Sequence, residues 1–560
     1  MSTPAPAARH GAADRAAFRF AVPERFNFTA DIIDRWAADP EKLAMLWTDG
    51  RHERRVTFAS LAEAANRFGD ALLHAGLRPG DRLFVMMGRE IPWWQAVLGA
   101  LKAGIVPMPA TTQLRAKDIA YRLQAASAAA ALADPPSAAE IDAALAAGGY
   151  AGLRLKILVG AADAGDAADA DTPPPGLRWT PYEDLLADGS PTAALAPTRA
   201  ADPALLYFTS GTTGNPKMVL HNHAYPLGHA VTARFWLDLG PDDLHWNISD
   251  TGWAKAAWSS LIAPWLEGAA LLVDASPGRF DPRRTLQMLQ DLGPTSLCAP
   301  PTIYRMLVLE DLARHRFPRL RSCVSAGEPL NPEVIETWRR ATGLTIRDGY
   351  GQTETVCLVA NFPDLPLRPG SMGQPCPAFE VAVVDESGAE LPRGQEGDIA
   401  VRVKPSTPPG VFQGYYGDPE GTAERMVGEF YITGDRGIRD ADGYFWFVGR
   451  ADDVILSAAY RIGPFEVESA LMTHPAVAEA AVVASPDPIR GSVVKAFVVC
   501  KPGVSSSPEL ASALQAHVQQ VTAPYKYPRE VEFVAELPKT VSGKIKRFEL
   551  RALEEARKRA

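Results

Sequence analysis

The feature that most constrains the fold is an alternation of amphipathic helical patterns with short apolar runs. "SLAEAANRFGDALLHAG" (Ser60–Gly76) puts Leu61, Ala65, Phe68 and Leu72 on one helical face. Ser60 and Glu63 stand at capping-box spacing, and Gly76 supplies a stop. "RLFVMM" (Arg82–Met87) follows as a predicted buried strand, then a helix over Trp93–Ala103 and a short strand in "GIVPMP". Such alternation specifies a layered α/β fold. A chain of 560 residues exceeds what one hydrophobic core serves, so two or more domains are expected. The alternation resumes after Lys217 and runs to about residue 370. From Gly373 to about Trp446, runs such as "FEVAVVD" and "GDIAVRV" are split by Gly and Pro, which predicts a β-barrel-like subdomain. A second alternation begins at "GRADDVI" and has the size of a small α+β domain. "AADAGDAADADTPPPG" (Ala161–Gly176) reads as a surface loop by composition.

Charge and cysteine usage narrow the function classes. A net charge of −9 and a pI near 5.7 offer no basic face for nucleic acid. Cys298, Cys323, Cys357, Cys376 and Cys500 are scattered and contain no C-x-x-C pair, which fits a reducing compartment rather than a disulfide framework or a zinc site. No apolar run is long enough to span a bilayer. The N-terminus lacks an apolar signal core, so a cytoplasmic location is expected. Its Ala-rich start with Arg9 and Arg15 is similar to a transit peptide but reads as a frayed, solvated tail.

The stretch "LLYFTSGTTGNPK" (Leu205–Lys217) carries the chemistry. Glycines let backbone approach a ligand, consecutive N–H groups form an anion nest, the hydroxyls add donors and Lys217 adds charge. The preceding "ALLYF" is a predicted strand, which would set the loop at a strand's carboxyl end, where α/β sheets bind ligands. A polyphosphate is the expected ligand. The loop is not a Walker A loop, because Met218 rather than Ser or Thr follows Lys217. His221-Asn222-His223 lacks a third metal ligand and reads as structural, and Trp93-Trp94 reads as core.

"YFTSGTTGNPK" resembles the signature loop of the adenylate-forming acyl-CoA synthetases. "SAGEP", "DGYGQTE", "YITGD", "GRADD", "YRIGPFEVE" and "PKTVSGKIKR" follow in the family's order, the last two most like its medium-chain branch. The resemblance implies a large N-terminal domain over 1–449 (20–372 α/β, 373–449 β-rich), a hinge at 450–453 carrying Asp452, and a small mobile domain over 454–560. It implies ATP contacts from Thr209, Ser210, Gly211, Thr212, Thr213, Gly214, Asn215, Pro216 and Lys217. An adenine pocket is implied at Gly327, Glu328, Pro329, Asp348, Gly349, Tyr350, Gly351 and Gln352. Asp435 resembles the ribose ligand, and Arg450 and Arg461 are implied as further nucleotide contacts. Thr353 is implied on the α-phosphate, Glu354 on Mg²⁺, and Lys544 as the lysine that reaches in during adenylation, with Lys544, Thr353 and Lys217 as the catalytic set.

The reaction so implied joins a carboxylic acid to ATP as acyl-AMP, then transfers the acyl group to coenzyme A. A short- or medium-chain fatty acid or an aromatic acid is expected, acting on a monomer or homodimer. Trp258 resembles the acyl-pocket aromatic, and Gly351, where acetate-specific relatives carry Trp, is expected to leave the pocket floor open. Coenzyme A contacts are implied at Ala458, Ala459, Tyr460, Arg490, Lys526 and Arg529, with Ala459 standing where many relatives have Gly. A stand-alone enzyme loading a carrier protein and an oxidative acyl-adenylate enzyme share these motifs. Sixteen residues follow Lys544, and no carrier domain is expected.

Overall fold

The computed structural model describes residues 8–148, 150–160, 177–193, 195, 197–209, 216–457, 460–488, 490–539 and 545–559. The predicted alternation is realised as two large sheets with helices packed on them. One is a five-stranded parallel sheet in the order Val106–Ala110, Arg82–Met86, Ala128–Ala133, Leu155–Leu158, Trp179–Pro181. The helices Phe58–His74 and Ile91–Lys102 pack against each other, and Leu61, Ala65, Phe68 and Leu72 are all buried as their period demands. The helix starts earlier than expected. Phe58 is buried and already helical, so Thr57 is the N-cap, accepting from the Ser60 N–H at 3.2 Å, and Ser60 falls inside the first turn. Trp93 and Trp94 are core residues, edge to face at 5.1 Å.

The second sheet has fourteen strands. Its parallel centre runs Leu43–Thr48, Ala270–Asp274, Leu244–Asn247, Ser296–Cys298, Ser322–Ala326, Ile346–Tyr350. The β-rich stretch beyond Gly373 is antiparallel, and its strands continue this sheet rather than standing apart. Val359–Ala360 and Ser371–Pro375 lead into Phe445–Arg450, Phe430–Arg439, Glu396–Arg402 and Val381–Val384. One piece leaves that path: Gly414–Tyr415 pairs instead with Met218–Asn222, beside Pro203–Phe208.

The small C-terminal domain has its own core, in which Ile455, Val467, Leu471, Val482, Leu514 and Val518 are buried together. The hairpin Val477–Asp487/Gly491–Cys500 takes Glu530–Phe533 alongside in parallel, and the helices Pro464–Met472, Pro508–Val521 and Arg547–Arg559 surround it. No helix among the described residues is long and apolar enough to cross a membrane.

The expectation of a frayed N-terminal tail is corrected from residue 8 onward. The Arg9 N–H donates to Asp238 at 2.9 Å, and its guanidinium lies 3.2 Å from Asp243. Arg15 pairs with Asp364 and sits 4.7 Å above the Phe362 ring. The two arginines that give the segment its basic character are thereby anchored on the large domain.

Candidate active site

Two neighbouring parallel strands, Ser322–Ala326 and Ile346–Tyr350, end level with each other, with Ala326 opposite Gly349. Their carboxyl ends deliver Gly327–Pro329 and Gly351–Glu354 side by side into one cleft of about 990 Å³. That is the position at which parallel sheets bind ligands. Glycine is required at 349, since a Cβ there would lie 2.5 Å from the Trp236 indole. Gly327 takes φ of 113°, a region that disfavours other residues.

The antiparallel extension supplies the next wall. Asp435 and Arg450 face each other across two strands, with the guanidinium donating to the carboxylate at 3.1 Å. Asp435 also accepts from the Tyr350 hydroxyl at 2.6 Å and the Gln352 amide at 2.5 Å. Gln352 is itself fixed, donating to the Thr433 carbonyl and accepting from the Tyr431 hydroxyl, both at 3.0 Å. The carboxylate is held in one orientation before any ligand arrives. Asp348 lies underneath and is buried. Burial pushes its carboxyl up to about 8, against the pull of the Leu330 and Gly349 N–H groups and of Lys255. Glu328 accepts from Thr302 and from Arg305, each at 2.8 Å.

At the phosphate-loop end, Thr209 and Lys217 line the cleft. The strand predicted before the loop is present, and its pairing is antiparallel: Pro203–Phe208 runs against Met218–Asn222, and the Thr209 N–H donates to the Lys217 carbonyl at 2.9 Å. The loop therefore joins the arms of a β-hairpin. Ser210–Asn215 lie outside the described residues, as do Ala458, Ala459 and Lys544. Pro216 does not line the cleft; its carbonyl accepts from Tyr121. Thr353 lines the cleft, and its carbonyl is 2.7 Å from His221 Nε2. Glu354 is half-buried, accepts from the Tyr415 hydroxyl at 2.9 Å, and forms no ion pair among the described residues. Burial accordingly raises its carboxyl above the usual range.

Trp258 and Gly351 both line the cleft, but the open floor expected at Gly351 is not there. A Cβ on Gly351 would lie 2.4 Å from the Trp258 ring and 2.2 Å from the Val356 carbonyl. The indole already occupies that room. Gly351→Trp is therefore expected to lower the melting temperature and cut activity on every acid, because a backbone carbonyl cannot move aside. A stable mutant whose preference shifts to acetate would show the space to be free after all.

The small domain closes the cleft with Glu468, Lys539, Ile545, Lys546, Arg547 and Arg551. Among the coenzyme A residues expected from the sequence, Tyr460 and Lys526 are brought together, since Tyr460 stacks on Tyr525 at 4.2 Å. None of Tyr460, Arg490, Lys526 and Arg529 lines the cleft. Lys526 is paired with Glu466, and the Arg529 guanidinium donates to the Tyr527 hydroxyl at 3.0 Å. Arg461 lies on the strand Tyr460–Ile462 opposite Leu456, and Asp452 is 3.9 Å from Arg450.

Two cleft residues escaped the sequence reading. Lys255 is one helical turn before Trp258 and faces the same cleft, donating to the Ala326 carbonyl at 2.6 Å. Burial draws its ammonium below the ordinary lysine value, opposed by Cys298, Asp348 and Glu328. The i, i+3 spacing from Trp258 was the available signal. Tyr415, the second, gave none, because its place depends on pairing with Val219 almost two hundred residues earlier.

Residues 33–416 match the family model described as AMP-binding enzyme, and residues 466–544 match the AMP-binding enzyme C-terminal domain. The chain belongs to the AMP-binding enzyme family. It is 48% identical over 549 residues to the mouse (Mus musculus) mitochondrial acyl-coenzyme A synthetase ACSM3, spanning 96% of this chain and 92% of that protein. It is 46% identical to human (Homo sapiens) mitochondrial ACSM4 over 541 residues, 95% of this chain and 91% of that one. Among solved structures, the anthranilate CoA ligase AuaEII in complex with anthranoyl-AMP superposes with a TM-score of 0.86 at 30% identity, covering 96% of this chain and 99% of that one. The names of the ACSM relatives overturn the expectation of a cytoplasmic location, because those proteins are mitochondrial. Scattered thiols do not distinguish one reducing compartment from another.

Proposed function

We propose that the cleft holds ATP with its base at Gly327–Pro329 and Asp348–Gln352, its ribose on Asp435, and its phosphates between Thr209–Lys217, Thr353 and Lys544. The activity is that of an AMP-forming, ATP-dependent acyl-CoA synthetase, which makes acyl-CoA by way of acyl-AMP. Carboxylates are poor acyl donors because oxide is a bad leaving group, and AMP is a far better one. The protein's part is to position the acid against the α-phosphate and to offset charge there. Glu354 suits a Mg²⁺ ligand, being a half-buried carboxylate without an ion-pair partner among the described residues; the ion would offset phosphate charge there.

The observation that carries this reading is that parallel-strand ends, the Asp435–Arg450 pair and the small domain's Lys539, Ile545, Lys546, Arg547 and Arg551 all face one cleft. We place the hinge at 450–453, between the strand Phe445–Arg450 and the strand Ile455–Ser457, with Asp452 in it. A rotation there would present Tyr460, Arg490 and Arg529 for the coenzyme A step, which accounts for their absence from the cleft as it stands. The acid is a fatty or aromatic carboxylate resting on Trp258, a reading supported by the ACSM relatives and the anthranoyl-AMP complex.

Pyrophosphate exchange with a panel of acids, with and without coenzyme A, tests the assignment. Exchange with acid alone and thioester only with coenzyme A is expected; adenylation without thioester would point to carrier loading. Within that panel, Trp258→Ala should raise kcat/KM for long or wide acids relative to butyrate by roughly tenfold, the discrimination that filling a hydrophobic pocket provides. An unchanged profile in folded protein would remove Trp258 from the acyl wall.

A further inference from the structure

The phosphate end of the cleft contains two opposite charges that do not pair. Lys217 and Glu354 both line it, yet they form no ion pair with each other within 4.0 Å, and among the described residues neither has any other ion-pair partner. The Tyr415 side chain stands between them. The Lys217 ammonium lies 4.5 Å from the centre of its ring, and its hydroxyl donates to Glu354 at 2.9 Å.

We propose that Tyr415 is a positioning residue for ATP binding, one side chain that holds the Lys217 ammonium on its face and the Glu354 carboxylate on its rim. The proposal rests on the assignment of this cleft to ATP and of Glu354 to the metal.

The surroundings give Tyr415 little freedom. Residues 410–416 form a bracket under both halves of the phosphate site. On one side Gly414 and Tyr415 pair with Leu220 and Val219, and the Gln413 and Tyr416 N–H groups donate to Leu220 and Met218 at 2.8 and 2.7 Å. That side grips the outgoing arm of the hairpin that carries Lys217. On the other side the Phe412 N–H donates to the Glu354 carbonyl at 2.8 Å, and the Val356 N–H donates to the Gly410 carbonyl at 2.9 Å. Phe412 packs at 5.1 Å against both Tyr415 and Tyr431, and Tyr431 holds Gln352. The Tyr415 N–H is itself fixed by Thr422 at 2.8 Å. The bracket thus ties two parts of the chain that both reach the phosphates, and Tyr415 is its only side chain that touches a charged group of each.

Phenylalanine would keep the packing and the ring face but leave a half-buried carboxylate without its donor. A hydrogen bond to a charged group is strong, and losing one costs on the order of tenfold in an equilibrium that depends on it. Leucine would remove the ring face as well, and with it the cation–π contact to Lys217.

Isothermal titration of purified protein with ATP, in EDTA and in excess Mg²⁺, reads the two roles separately. Tyr415→Phe should weaken binding of Mg·ATP by about tenfold while metal-free ATP binds within twofold of wild type. Tyr415→Leu should weaken both. In a Glu354→Gln background the Tyr415→Phe change should cost little, because its target is gone. Wild-type affinity for Mg·ATP in Tyr415→Phe, equal losses with and without metal, or an undiminished cost in the Glu354→Gln background would each overturn the proposal. A wild-type protein that binds no ATP would instead overturn the reading of the cleft, and the proposal with it.

Discussion

Lys544→Ala is expected to slow acyl-AMP formation by about 10²-fold or more while leaving thioester formation from synthetic acyl-AMP largely intact. The argument starts from the other cations that the small domain brings to the cleft. Lys539 is 2.7 Å from Glu479, Lys546 is 2.7 Å from Glu549, and Arg547 is 2.7 Å from Glu468. Arg551 is paired with Asp453. All four are committed to carboxylates, three within the small domain and Arg551 to Asp453 at the hinge, so none is available to a phosphate without breaking a pair. Lys544 lies in sequence between Lys539 and Ile545, and both of those line the cleft. It is the remaining basic residue of that stretch from which charge can be supplied as the acid attacks. A lysine that acts from a mobile domain serves only while that domain faces the nucleotide, which is why the two half-reactions should separate. Rapid-quench measurement of each half-reaction checks this. Equal loss in both would mean that Lys544 supports the fold or the coenzyme A step instead.

What could be read from the chain depended on how local the determinant was. The helix Phe58–His74 and the strands Arg82–Met86 and Pro203–Phe208 follow from periodicity within a short window, and they appear where expected apart from the earlier helix start. Asp435 and Arg450 were legible as separate motif residues, and their partnership is a cross-strand pair fixed by the register of a local hairpin. Residues whose role comes from distant pairing were not legible. His221 acquires meaning only because Thr353 is carried to within 2.7 Å of it, and Tyr415 only because Gly414–Tyr415 leaves the main sheet to join Val219. Gly351 misled for a related reason: the absence of a side chain in the sequence suggested space, whereas the fold fills that space with Trp258 from another segment. The pairing of Lys526 with Glu466, sixty residues earlier, was likewise not legible.

Acid should unfold the large domain well above the pH at which carboxylates titrate. His221, His223, His229 and His245 are all buried, none more than 1% exposed. Burial lowers the first two to about 4 and His245 to about 3, and pulls His229 well down as well. The hydrogen bonds agree with neutral rings. His221 reaches Thr353 through Nε2 and His245 reaches Ser296 through Nδ1, while His221 Nδ1, His223 Nε2, His229 Nε2 and His245 Nε2 meet no partner among the described residues. A second proton would place an N–H where no acceptor waits. In the unfolded chain these rings titrate near 6.5, so the unfolded state binds more protons below that pH. Stability from each histidine is complete above pH 6.5 and is lost as pH falls through the window toward 4. Linkage makes His221, His223 and His245 each worth on the order of 3 kcal/mol, His229 adds in the same direction, and together they rival the stability of a typical domain. Asp348 works the other way. Its raised folded value means stability declines as pH climbs from the ordinary carboxylate range to about 8, so acid relieves it. One carboxyl against four rings leaves the histidines dominant below neutrality. All twelve tryptophans lie between Trp36 and Trp446, so indole fluorescence reports the large domain without interference from the small one. Urea midpoints followed that way should fall steeply between pH 6.5 and 4.5, and His229→Phe should flatten the fall by about a quarter if the four rings contribute alike. A midpoint that holds steady from pH 7 to 4.5 would mean that these rings accept protons in the folded state.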